Sequence, residues 1–446
     1  MVETITAEEF RDMLDAARRG ERSFTVVDTR PAESYEGWRI PGSMNYVYKP
    51  FHRFDPDEFE AATGLGPEST VVTVCAKGKS SHVLADDLAA DGWGDVYAID
   101  DGMRGWSAVY DHTAVPLPDA GDDPLDVVQI QRRAKGCLGY LVVGGRAGGD
   151  DSGDAIADSD GSRVAVAVDV SRHGEEWLAA ADEHDASITA VLDTHVHADH
   201  LSGGRALADE LGVPYVLPAA AEARDVAYEF EPIERNETLD VGGIDLKALA
   251  TPGHTDDMAS YLVGRSAVLT GDTLFTDSVG RTELQFAAGE DGEKGDGEKG
   301  DGGDGNDGTA DGERANGSTT AGARRGAERL YDSLHGTLLA EPDDVVVLPG
   351  HFSVANDGTT GDVVPGEPVA TTVGAVRTGI DLLGRDREPF VEEITATLPE
   401  KPPNYESVIA VNRGVESPDD EVAATDLELG PNRCAAEPVP EPEADD

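Results

Sequence analysis

Apolar positions recur at helical spacing through AEEFRDMLDAARR (7–19), and FTVVD (24–28) then reads as a buried strand. VVTVC (71–75) reads as a second, a helix is expected from about Ser80, and VYAI (96–99) reads as a third strand. Strand and helix alternate across residues 1–112, which predicts a small α/β domain with a parallel sheet. The Pro-rich, acidic stretch TAVPLPDAGDDP (113–124) reads as a linker. Paired strands then appear at 140–145 and 163–169, flanking an acidic loop. They are followed by a helix at 175–185, a strand at 188–193, a helix at 203–211 and strands at 261–264 and 267–272. A helix at 324–339, a strand at 344–351 and a helical stretch near 374–398 complete a larger α/β region over 125–415. Within it, 289–322 is Gly/Asp/Glu low complexity, almost without apolar side chains, and is expected to be a disordered insertion because it cannot offset its own ordering entropy. An acidic, Pro-rich tail is expected over 416–446.

The 446 residues include 89 acidic and 35 basic side chains, a formal net charge of −54. A surface this negative repels phosphate backbones and anionic lipid heads, so nucleic acid and membrane partners are excluded. Only eight of the basic residues are lysine, and excess carboxylate with little lysine points to a high-salt cytoplasm, where screening makes the self-repulsion tolerable. No apolar run approaches the ~18 residues needed to span a bilayer, and MVETITAEEF is acidic where a signal peptide is basic, so a cytoplasmic location is expected. Three scattered cysteines, Cys75, Cys137 and Cys434, do not make a disulfide framework.

Cys75 ends a strand and precedes AKGKSS and a helix start, where free backbone N–H groups and the positive helix end lower a thiol pKa. Lys77 and Lys79, two of the eight lysines, lie within four residues of it. VVDTRPAESYEGWRIPGSMN (26–45), CAKGKSS (75–81) and VYAIDDGMRGW (96–106) together resemble the rhodanese sulfurtransferase family over residues 1–112. That resemblance implies a persulfide-accepting role for Cys75, an anionic sulfur donor governed by Lys77 and Lys79, and a structural role for Asp28 and Arg30. A non-catalytic adaptor built on the same fold would carry an inactive loop, whereas this one is intact.

THVHADH (194–200) follows the strand ITAVLD. Histidines at i, i+2 and i+5 with a carboxylate at i+4 bring four possible ligands, His195, His197, Asp199 and His200, into a small volume. His254 in TPGHT, Asp272 in LTGDTL and His351 in VLPGHF add three more at strand ends. This set resembles the metallo-β-lactamase superfamily over about 125–413, which implies an αββα sandwich. GDTLFTDSVGRTELQF (271–286), LYDSLHGTLL (330–339) and KPPNYESVIAVNRGV (401–415) are most similar, within it, to the persulfide dioxygenases. That likeness implies one Fe(II) held by His195, His254 and Asp272. His197, Asp199, His200 and His351 would orient ligands and move protons. Arg281 and Thr282 would lie near the iron, and Asn412 and Arg413 on the substrate side. Implied partners are a low-molecular-weight thiol persulfide, O2, and thiosulfate or sulfite. Glyoxalase II-type thioester hydrolases use the same full ligand set for two Zn²⁺ with Asp272 bridging, and ligand inventory alone leaves both open. The oligomeric state is not legible. Cys137, in KGCLGYLV, is expected to be a packing residue, and no role is read for Cys434.

Overall fold

A computed structural model describes residues 2–118, 125–145, 163–284, 311–396, 401–431 and 434. The N-terminal unit is a five-stranded parallel sheet in the order Glu3–Ile5, Val96–Ile99, Val71–Val74, Thr25–Asp28, Met44–Asn45. The helix Ala7–Arg18 opens with a reciprocal capping box, in which Thr6 and Glu9 each accept the other's backbone N–H. Its Phe10 and Met13 pack on Val26, Val72 and Val74 on one sheet face, while Leu84 and Leu88 of the helix Lys79–Ala90 cover the other with Val27 and Val71.

The second unit stacks a seven-stranded sheet on a six-stranded one, with helices outside both. The strand Arg163–Val168 shows why. Its Val164, Val166 and Val168 point into the core between the sheets, toward Leu246, Tyr261, Leu269 and Leu348, while Ala165 and Ala167 face the outer helices with Trp177, Ala180 and Leu207. Large residues fill the space between the sheets, and small ones admit the helices. On the other outer face, the helix Asp311–Gly336 buries Ala327, Leu330 and Leu334 at helical spacing. The fold is α/β throughout, a parallel-sheet domain followed by an αββα sandwich.

Three expectations change. The stretch expected as linker starts as strand: Tyr110–Val115 pairs antiparallel with Asp126–Arg132 and forms the edge of the seven-stranded sheet, because a partner strand satisfies its backbone. The helix at 324–339 begins at Asp311, inside the expected insertion, whose remainder lies outside the described residues, as does the acidic loop from 146 to 162. The tail is ordered at its start, with a helix at Glu421–Leu427 capped by Asp420, and beyond it Glu428 and Cys434 are buried. Polar contacts with both units hold it. Arg104 of the first unit clamps Asp426 at 2.6 and 2.7 Å, and Lys135 Nζ donates to the carbonyls of Glu428 and Gly430. Arg133 in turn ties the units together through Asp15 at 2.8 Å and Asp111 at 2.7 Å. No helix among the described residues is long and apolar enough to cross a membrane.

Candidate metal centre and thiol loop

The ligand-type side chains sit just beyond the C-terminal ends of Ala186–Leu192, Ile244–Ala250, Ala267–Gly271 and Val346–Pro349, where backbone leaving a sheet is free to turn inward. The 194–200 loop is held at each step. Thr194 N–H donates to Asp169 at 2.7 Å, Val196 N–H to Asp257 at 2.8 Å and Leu201 N–H to Glu428 at 2.8 Å. Gly350 is obligatory against this centre, since a Cβ there would stand 2.5 Å from Asp272 Oδ1.

The seven expected metal residues fall into three buried groups, the first two of which meet where Asp272 stands with Asp199 and His351. His195, His254 and Asp272 bring one donor atom each within 4.8 Å of the others. Their free atoms are His195 Nε2, His254 Nε2 and Asp272 Oδ2, all buried without a hydrogen-bond partner. Leaving such atoms unsatisfied costs roughly 1–3 kcal/mol each, and a bound cation removes that cost, so this donor set fits a metal ion. His254 Nδ1 donates to the Arg281 carbonyl at 2.9 Å, which leaves the Nε2 lone pair facing the group. Burial, then repulsion from His197, holds His195 well below the ordinary imidazole pKa, and burial also lowers His254, so both imidazoles are neutral and able to donate to a cation. Burial opposes ionisation of Asp272, but the His351 cation outweighs it and keeps the carboxyl below its ordinary value.

His351 forms the second group with Asp199 and His200. Its Nδ1 lies 2.6 Å from Asp272 Oδ1 and its Nε2 2.8 Å from Asp199 Oδ2. Against the cost of burial, these two carboxylates raise the imidazole well above its ordinary pKa. His200 Nδ1 stands 3.2 Å from Asp199. His197 belongs to the third group. It turns away toward Asp169, 3.2 Å distant, and Asp193.

The remaining expected site residues act at one remove. Arg281 is buried and donates through Nε to Glu283 at 2.7 Å, and its carbonyl accepts from His254. Thr282 Oγ1 donates to Ala323 O. Asn412 donates to the His197 and His200 carbonyls at 2.9 and 2.8 Å and accepts from Ser202 N–H, so it braces the ligand loop. Arg413 points outward to Asp225, 3.5 Å away. Asn412→Ala is expected to weaken metal retention on the order of 10–100-fold, measured by chelator competition, since outer partners that orient ligands carry effects of that size.

Cys75 is buried directly after the strand Val71–Val74. Gly102 backs the loop at φ +58°, where an added Cβ would meet the Cys75 carbonyl at 2.0 Å, so only glycine fits. Burial opposes the thiolate. Hydrogen bonds from the Ser81 hydroxyl and N–H, the Ser80 hydroxyl and the Lys77 N–H outweigh it and lower the Cys75 pKa. Lys77 and Lys79 are exposed at the loop and helix start, and Arg30 closes a bidentate pair on Asp28 at 2.7–3.0 Å beneath it.

Two further cysteines stand beside the metal centre. Cys137, expected as a packing residue, is buried, and its Sγ also lies 3.5 Å from Asp199 Oδ2 in a group with His200 and His351. Cys434 comes from the tail to stand with Asp199, Asp272 and His351, and its carbonyl accepts the Arg281 N–H at 3.0 Å. Only the rarity of cysteine in the chain marked either.

Residues 147–351 match the metallo-β-lactamase superfamily, and residues 6–109 match the rhodanese-like domain. The chain therefore carries a rhodanese-like domain followed by a metallo-β-lactamase domain. The hydroxyacylglutathione hydrolase of Prochlorococcus marinus (strain MIT 9301) is 33% identical over 118 residues, 26% of this chain and 48% of that protein. The hydrolase of the same name from Acidiphilium cryptum (strain JF-5) is 39% identical over 102 residues, 22% of this chain and 42% of that protein. The chain thus spans about half the length of these curated relatives. Among solved structures, ETHE1 from Myxococcus xanthus is 24% identical with a TM-score of 0.45, covering 65% of this chain and 98% of that one.

Proposed function

We propose that the protein is a cytoplasmic sulfur-oxidation enzyme of a high-salt cell. A low-molecular-weight thiol persulfide reacts with O2 and water to give the thiol and sulfite at the His195/His254/Asp272 group, and Cys75 carries sulfane sulfur between that thiol and sulfite or thiosulfate. The observation that carries this reading is the convergence of three unpartnered donors, two neutral imidazoles and one carboxylate, with His351 held by Asp272 and Asp199 and His197 set in a separate group beside Asp169 and Asp193. His195, His254 and Asp272 would hold Fe(II), a metal this donor set suits, which when bound would supply the redox chemistry for O2. The residues around it have defined tasks. Asp272 and Asp199 hold the His351 proton at the edge of the site, and Asn412 and Asp257 keep the ligand loop in place. At Cys75 the thiolate takes the outer sulfur of thiosulfate, one S–S bond forming as another breaks, and sulfite leaves with the electron pair.

The attached thiol loop supports the persulfide over a thioester, because the two sites then share one intermediate. Protein purified without oxygen should hold one iron in this group and consume O2 with sulfite release only when a persulfide such as glutathione persulfide is supplied. Cys75→Ser should leave that oxygen uptake intact and bring thiosulfate-to-thiol sulfur transfer down to the solution background. The hydrolase names of the relatives favour a second reading, a dinuclear zinc thioester hydrolase. Two zinc ions per chain with hydrolysis of S-lactoyl thiols, and no persulfide-dependent oxygen uptake, would establish it in place of the first.

A further inference from the structure

The strap at 46–54 borders the thiol loop of the first domain. It continues from the edge strand Met44–Asn45, and its Tyr48 N–H donates to Thr29 O at 3.2 Å. Thr29 in turn touches the Cys75 loop at both ends, donating its N–H to Val74 O at 2.8 Å and meeting the Ser80 hydroxyl at 2.9 Å. The strap is firmly backed. Tyr48 is buried with its hydroxyl donating to Asp87 at 2.6 Å, and Tyr46, Tyr48, Phe54 and Phe59 meet ring against ring. Phe51 is left out of this cluster. It stands in a turn closed by His52 N–H on Lys49 O and is 80% exposed, the one aromatic among the strongly exposed large apolar side chains of the described residues. Charge marks the same place. Segments 37–54 and 69–85, which carry the strap and the thiol loop, contain no acidic residue in a chain that has 89. Lys49, Arg53, Lys77 and Lys79 are all exposed there and form no ion pair among the described residues. Of the neighbouring carboxylates, Asp87 is taken by Tyr48, Asp55 caps the helix Pro56–Thr63, and Asp101 faces Lys77. The net charge of −54 repels an acidic partner from the rest of the surface, so the acid-free face is where such a partner is drawn. Thiosulfate or a small thiol could use the cations beside Cys75 but has nothing to set against Phe51 and Val47, which is 43% exposed. An apolar anchor ringed by cations is matched by a macromolecule.

We propose that the strap at 46–54 and the Cys75 loop form the docking surface for an acidic protein that receives sulfane sulfur from Cys75, with Phe51 as the apolar anchor and Lys49 and Arg53 meeting carboxylates. The partner's thiolate attacks the outer sulfur of the Cys75 persulfide. One S–S bond forms as the old one breaks, and Cys75 leaves as a thiolate with the electron pair, so no oxidant is needed. In concentrated salt charge acts over only ~3 Å at 1 M, and the exposed ring supplies the part of the contact that salt does not screen. The proposal rests on the sulfur-carrying role of Cys75 given above and not on the reaction at the metal group.

Two synthetic peptides, each with a single cysteine, serve as sulfur acceptors for the thiosulfate-loaded full chain. One carries leucine and several carboxylates around the cysteine; in the other the leucine is serine and the carboxylates are amides. The acidic peptide should show a KM at least about 10-fold below that of its control. Phe51→Ser and the double variant Lys49→Ala/Arg53→Ala should each remove most of that advantage at low salt. At about 1 M salt the charge variant should lose its effect while Phe51→Ser keeps it. Thiosulfate-to-β-mercaptoethanol transfer should be unchanged in both, because the three side chains are exposed and lie outside the thiol loop. Equal KM values for the two peptides, an advantage that survives in Phe51→Ser, or variants that slow β-mercaptoethanol as much as the acidic peptide would overturn the proposal. A wild-type dimer that Phe51→Ser dissociates would give the surface to a second copy of the chain and overturn it too. Transfer to no acceptor at all would remove the role of Cys75 and the proposal with it, whereas transfer to β-mercaptoethanol without preference between the peptides would remove the proposal alone.

Discussion

His254→Ala is expected to lose iron and persulfide-dependent oxygen uptake together, by more than about 10²-fold, whereas His197→Ala is expected to keep its iron. The contrast follows from orientation. His254 is tied at Nδ1 to the Arg281 carbonyl and directs an unpartnered Nε2 at Asp272 Oδ2 and His195. Without it, one imidazole and one carboxylate are left, too few to hold the ion on a facial triad. His197 has turned toward Asp169 and Asp193 and is not among the three. In a dinuclear hydrolase the same residue would be a direct ligand, so iron or zinc content in the two variants, measured beside oxygen uptake, separates the readings. Equal loss of metal in both would favour the hydrolase.

How much of this was legible in the chain depends on how local its cause is. RVAVAV and VVTV are strands because neighbouring side chains face two buried surfaces, and that requirement is written into adjacent positions. THVHADH is likewise local, as is CAKGKSS with its helix start. What stayed hidden was set by partners far away in sequence. Whether His197 joins His195 or turns aside depends on Asp169 and Asp193, which have no marking context. The contact of Cys137 with Asp199 was hidden because it arises from strand pairing with the segment around His351. Thr113–Val115 read as linker until a partner strand was available to it. The tail is the clearest case. Its composition is that of a solvated acidic chain, with few apolar side chains to announce a helix, and it is held by buried charge, which periodicity cannot report.

That charge supports the second large prediction. Arg132 and Glu428 are both completely buried and meet bidentately at 3.0 and 3.1 Å, while Arg172 reaches the same carboxylate at 2.6 Å. Glu428 Oε1 also accepts the Leu201 N–H directly after His200, and Arg132 Nε donates to Ser107 O in the first domain. One carboxylate therefore links the tail, the metal loop and the rhodanese-like domain. Removing Arg132 leaves the buried Glu428 carboxylate with Arg172 alone, so Arg132→Met is expected to destabilise the protein by about 3 kcal/mol, the lower end of the range for breaking a buried pair, and to loosen the metal loop. Thermal unfolding of the metal-free chain, which excludes stabilisation by bound ion, measures the first effect, and chelator competition the second. The double variant Arg132→Met/Glu428→Gln should recover part of the stability, because the poorly compensated charge is gone, but not the metal affinity, because the Leu201 N–H loses an ionised acceptor. The pH dependence has a definite sign. Burial opposes ionisation of Glu428, and Arg132 with Arg172 more than compensates, so its folded pKa lies below the ordinary value. A depressed folded pKa adds stability that is complete above the unfolded glutamate value of about 4.3 and is lost as the pH falls below it. Wild-type stability should therefore drop on acidification through that range, and the double variant, with no carboxylate at position 428, should show a shallower drop.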